Sequence, residues 1–177
     1  MNPERVLQKY KEHTQRWIHE IDTFSPDTFN QSLAGGWSTA QVIDHIAKTT
    51  SQCLQNAGLC CNGKGEKGHS GFGPAIFSLM GSFPPVRIKV KTPPKGVEHI
   101  YTPLPISQQE AKNALQQAMR QMEDILQLVQ QADTSYRIAH WAGGWFNAQQ
   151  WYHSAEMHIK HHFRQLKRIK NTIRKTS

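Results

Sequence analysis

The stretch NAQQWYHSAEMHIKHHFRQLKRIKNTI, residues 147–173, decides the fold. Ala148, Tyr152, Ala155, Ile159, His162, Leu166, Ile169 and Ile173 follow one another in alternating steps of four and three. That near-heptad rhythm is the signature of a helix that buries one stripe against other helices. One place on the stripe is taken by a histidine rather than a hydrophobe.

Three more helices are legible upstream by the same rhythm and by their caps. Asn2 ahead of Pro3 is a cap and first-turn pair, and Leu7, Tyr10, Thr14, Trp17, Ile21 and Phe24 mark a first helix that stops before Ser25-Pro26. Ser38 and Gln41 form a capping box that opens a second helix through Ile43, Ile46, Ala47, Thr50, Leu54 and Ala57 to about Gly58. Ser107 and Glu110 open a third, striped by Ala111, Leu115, Ala118, Met122, Ile125 and Val129. The expected fold is all-α, a four-helix bundle in a single domain over residues 1–177.

A long crossover rich in glycine and proline, residues 58–106, joins helices two and three. Connections of that length inside a compact domain are usually functional or disordered. Its apolar island at 74–81 is expected to plug or cover an end of the bundle, and the alternating segment 86–91 to run extended. The chain also repeats itself. Gly35-Gly36-Trp37-x-x-Ala40-Gln41-x-x-x-His45 recurs as Gly143-Gly144-Trp145-x-x-Ala148-Gln149-x-x-x-His153, so each pair of helices opens with the same turn chemistry.

The totals bound the class. No stretch approaches the roughly 20 apolar residues of a membrane span, and MNPERVLQKYKEH carries charges where a secretory signal needs an apolar run. Cys53, Cys60 and Cys61 make no disulfide framework, so a cytoplasmic, reducing setting is expected. The formal charge of +8 favours encounter with acidic partners. Lys160, Arg164, Lys167, Arg168, Lys170, Arg174 and Lys175, however, lie on the outward face and C-terminal end of a helix, where cations are solvated and favoured by the dipole. With no recognised binding motif beside them, nucleic acid ranks last among the partner classes.

Helical register sorts the histidines of the last helix. Taking His162 as inward, His158 lies about 40° and Gln165 about 60° away on the same side, His161 about 100° and His153 about 180°. His158 and His162 therefore face a common pocket, and His161 and His153 are expected to meet solvent. Two imidazoles at i and i+4 have Cβ atoms roughly 5–6 Å apart, a spacing from which both can reach one metal ion. A hydrogen-bonded core histidine is the plain alternative for each, and periodicity alone leaves the two readings level. His45, off the densest stripe of the second helix, reads as exposed by pattern. Trp151, one heptad before His158, is a candidate wall of the pocket.

Trp37-Ser38-x-x-Gln41-x-x-x-His45 opening the second helix, together with His158-x-x-x-His162-x-x-Gln165 on the last, resembles the DinB/YfiT-like family of metal-binding four-helix bundles. The resemblance runs through nearly the whole chain in helix order. It implies a divalent metal, nickel or zinc, held by His45, His158 and His162. Phe163 stands directly after the second histidine of the pair, where many relatives have arginine. A three-histidine ion keeps an open position and acts as a Lewis acid on water or a thiol. The resemblance thus implies a metal-dependent hydrolase or a thiol (S-)transferase acting on a small molecule, with a low-molecular-weight thiol as the partner in the second case. Glu156 is the candidate base for hydrolysis and Asp44 a candidate support for a ligand. The competing class is a non-catalytic metal- or ligand-binding module, and pairing into a homodimer is a family expectation.

Overall fold

The computed structural model describes residues 2–32, 36–67, 96–140 and 144–176. Along them run helices α1 (Pro3–Ile21), α2 (Pro26–Asn30), α3 (Thr39–Cys61), α4 (Glu98–Tyr101), α5 (Gln108–Asp124) and α6 (Leu126–Gln131). Strands β1 (Ile138–His140) and β2 (Gly144–Phe146) follow, and the long helix α7 (Ala148–Thr176) ends the chain. The protein is an all-α bundle carrying one small antiparallel ribbon, in which Ile138 faces Phe146 and His140 faces Gly144.

The caps form where local chemistry places them. Asn2 Oδ1 accepts from the Glu4 and Arg5 amides, and Ser38/Gln41 and Ser107/Glu110 both close as capping boxes. Asn147 and Gln150 do the same for α7, each side chain accepting from the other's amide at 3.0 Å. Each such cap contributes about 1 kcal/mol.

The long helices form a ring in which α3 packs on α7 and α5, and α1 packs on α7 and α5. Its core is Tyr10, Trp17 and Ile21 from α1, Ile43, Ile46 and Leu54 from α3, Leu115 and Met122 from α5, and Tyr152, Ala155 and Ile159 from α7. Removing each large apolar side chain from water stabilises the fold by roughly 1.5–3 kcal/mol. The polar ends of the buried aromatics are satisfied inside the ring. Tyr10 Oη pairs with Thr50 Oγ1 at 3.0 Å, Tyr152 Oη donates to the Met122 carbonyl at 2.9 Å, and Trp17 Nε1 donates to the Ile159 carbonyl at 3.3 Å.

Three details depart from the sequence reading. The third helix does not run unbroken to Val129, because Ile125 turns out of helical geometry (ψ 1°) and α6 restarts beyond it, still burying Val129. The second helix passes Gly58 and ends at Cys61, where Gly63 takes a positive φ of 67°. The ribbon and the short helices α2 and α4 carry too few residues to show a period of their own. The expected island 74–81 and extended segment 86–91 lie outside the described residues. Among those described, no helix is long and apolar enough to cross a membrane.

The internal repeat opens both helices with its register shifted by one. Ser38, the cap of α3, directly follows Trp37, whereas the cap of α7 is Asn147, two residues after Trp145. His45 is thus seven residues past its cap and His153 six past its own, a difference of about 100° in direction.

Candidate metal centre

Of the two repeat histidines, the one on α3 meets the pair on α7. His45 points across the α3–α7 seam, and its Nε2 lies 3.2 Å from His158 Nε2, which in turn lies 3.1 Å from His162 Nε2. The three donor atoms all fall within 4.8 Å of one another. Two nitrogens of a tetrahedral set, each about 2.0–2.1 Å from an ion, stand about 3.4 Å apart. The spacing is therefore that of ligands to a single cation.

The ring nitrogens facing away from the cluster establish the tautomers. His45 Nδ1 lies 2.7 Å from the Ile100 carbonyl, and His162 Nδ1 lies 2.8 Å from Gln165 Oε1. A carbonyl oxygen can only accept, so each Nδ1 carries its proton and each Nε2 presents a lone pair. Such outer partners orient metal-bound histidines and raise their basicity toward the ion. Burial holds the set neutral. It lowers the pKa of His45 to about 4 against the help of the Ile100 carbonyl. It also drives His158 and His162 well below the usual imidazole range, reinforced by the neighbouring histidines. His45 and His162 thus turn Nε2 lone pairs toward His158 Nε2 in a desolvated place, an arrangement that could hold a cation. Held there, a divalent ion would keep at least one coordination position outside the three histidines.

Aromatic rings wall the cluster. Trp37 lies 4.8 Å from the His45 ring and Tyr101 6.2 Å from it, while His161 stands edge-on to His162 at 5.3 Å. The family model of the DinB superfamily matches residues 10–166. The chain belongs to the DinB superfamily. No curated protein and no solved structure matches it.

In this DinB chain the three histidines named from sequence do come together, and Gln165 stands beside them as register implied. His45 is buried, not exposed, because α3 buries a sector wide enough to meet both α5 and α7. The same reason overturns the expectation for His153. It is buried rather than solvent-facing, since α1 covers that side of α7, and residues 151–157 are buried in an unbroken run. His161 is half-buried instead of exposed.

Glu156, the candidate base, belongs to the α1 seam. Its carboxylate is 2 % exposed and lies 3.1 Å from His13 Nε2 and 3.4 Å from His153 Nε2. Burial would raise its pKa, but the two histidines outweigh burial and bring it down to about 2. Two residues before His158, it projects from nearly the opposite side of the helix. Asp44 does not reach a ligand side chain either: its Oδ2 accepts from Lys48 Nζ at 2.6 Å and from the Leu104 amide at 2.8 Å. Trp151 packs on the ribbon, 5.0 Å from His140 and 5.4 Å from Phe146. Phe163, the departure from the usual arginine, stacks on Trp17 at 5.0 Å and has the Arg16 guanidinium over its ring at 4.3 Å, tying α7 to α1.

Sequence reasoning missed the Ile100 carbonyl and His13. A backbone acceptor has no residue-type signal. His13 is 143 positions from Glu156, and only its place on the same inward stretch of α1 as Tyr10 and Trp17 hinted at burial.

Proposed function

We propose that this DinB protein is a single-domain, metal-dependent enzyme acting on a small molecule, with His45, His158 and His162 holding one divalent ion, nickel or zinc. The observation that carries the reading is the convergence of three neutral Nε2 atoms at ligand spacing, two of them with Nδ1 tied to an oxygen. Imidazole sets suit zinc and nickel better than the hard alkaline-earth cations. Such an ion, when bound, supplies a Lewis acid that lowers the pKa of a thiol or water at its open position.

Between thiol transfer and hydrolysis, the surroundings favour thiol transfer. Glu156 and Asp44, the carboxylates nearest the ligands in sequence, are engaged with other groups. Burial raises Cys53 and Cys60 to about 11 and lifts Cys61 as well, so these thiols stay protonated at neutral pH. A sulfur nucleophile would then come from a low-molecular-weight thiol, in keeping with a cytoplasmic setting where thiols are reduced. Trp37 and Tyr101 would flank the reacting groups on the His45 side, and a homodimer would be the working form.

Metal-loaded protein is tested against electrophiles with a panel of small thiols, and against ester and amide substrates. Thiol conjugation lost in His158→Ala supports the reading. Hydrolysis alone selects the other reaction. No turnover in either panel, with tight small-ligand binding retained, identifies a non-catalytic module and overturns it.

A further inference from the structure

The segment that ends the crossover buries Ile100 and Pro103 and is also held on α2 and α3 by polar contacts. Leu104 is 60 % exposed, yet its amide donates to Asp44 Oδ2 at 2.8 Å. Gln41, already part of the α3 capping box, donates from Nε2 to the Pro103 carbonyl at 3.2 Å. Asn30 donates to the Ile106 carbonyl at 3.1 Å. At the other end of this strap, the Ile100 carbonyl accepts from His45 Nδ1 at 2.7 Å, and Tyr101 is set beside the same ring. Gln41, Asp44 and His45 all belong to the first two turns of α3, so one short stretch both fastens the strap and receives its carbonyl.

We propose that Asp44 is a positioning residue of the metal centre: by holding the Leu104 amide it keeps the strap, residues 100–106, on α3 and so keeps the Ile100 carbonyl on His45. This rests on the reading of the three histidines as ligands. The coupling has a direct physical basis. An ion drawing electron density from Nε2 makes Nδ1–H a stronger donor, so metal binding tightens the strap, and by linkage a tightened strap strengthens metal binding equally. The ion pair with Lys48 uses the same oxygen, Oδ2, from the partly exposed side of α3.

The test uses metal-stripped, untagged full-length protein and zinc. Affinities are read by chelator competition in wild type, Asp44→Ala, Asp44→Asn, Lys48→Met and His45→Ala. Loss of an outer support of a ligand weakens metal binding by about 10–100-fold, and Asp44→Ala is expected in that range. Asp44→Asn retains an acceptor oxygen for the Leu104 amide and restores most of the affinity. Lys48→Met removes the ion pair but leaves Oδ2 to the Leu104 amide, and weakens binding less than Asp44→Ala. In wild type, zinc slows hydrogen exchange of the non-proline amides of 100–106, and it fails to do so in His45→Ala. Folded Asp44→Ala with wild-type affinity overturns the proposal, as does exchange in the strap that zinc leaves untouched. The exchange result decides by itself if Asp44→Ala does not fold. Wild type that binds no zinc is a different outcome, which removes the ligand reading itself.

Discussion

Replacing Glu156 by glutamine separates a structural carboxylate from a catalytic one. The side chain is 2 % exposed and accepts from His13 at 3.1 Å and His153 at 3.4 Å. Hydrogen bonds involving a charged partner contribute about 1.5–3 kcal/mol each, and the longer contact belongs at the weak end, so the pair stabilises by roughly 3–4 kcal/mol. Glutamine keeps one acceptor oxygen, worth about 1 kcal/mol as a neutral bond, and leaves the second histidine facing an amide nitrogen. The net loss is then roughly 2–3 kcal/mol, or about 4–12 °C in Tm for a domain of this size. Urea unfolding at pH 7, followed by circular dichroism and extrapolated to water, measures it on metal-free protein. Metal stoichiometry is measured in parallel and should match wild type, since Glu156 sits across the helix from His158. A loss below about 0.5 kcal/mol, the range of ordinary surface changes, refutes the seam assignment. A folded Glu156→Gln protein that no longer takes up metal refutes the placement of Glu156 away from the centre.

Leu115→Ala, at a fully buried position of α5, is expected to cost about 2–5 kcal/mol in the same urea assay, with metal content unchanged in the folded fraction. Burial lowers the pKa of His140 to about 4, so the unfolded chain binds its proton first as the pH falls through about 6.5 and the folded state is left behind. Between pH 7.5 and pH 5, metal-free wild type should therefore lose about 2 kcal/mol more stability than His140→Phe; equal losses would mean that His140 is not held neutral.

What sequence reasoning could read follows from the range of each interaction. Asn2, Ser38, Ser107 and Asn147 announce helix starts because capping involves residues three apart. The i, i+4 relation of His158 and His162 is likewise local, and so is Gln165 three residues on. Register failed for His45 and His153 because it assumed one inward direction per helix, whereas α3 and α7 each have two long neighbours. The repeat that contains both histidines pointed to a likeness that a one-residue shift of the cap undoes. The break at Ile125 and the ribbon bridging to Phe146 answer to packing partners far along the chain. Family resemblance supplied His45 where periodicity could not, and the structure adds a physical reason: Ile100, 55 residues later, turns its carbonyl to that ring.

Metal content of untagged protein, measured by elemental analysis after gel filtration, bears most directly on the whole account. One equivalent of nickel or zinc per chain in wild type, and loss of it in folded His45→Ala, His158→Ala and His162→Ala, is the predicted result. Substoichiometric metal in wild type that is unchanged in all three variants would contradict it.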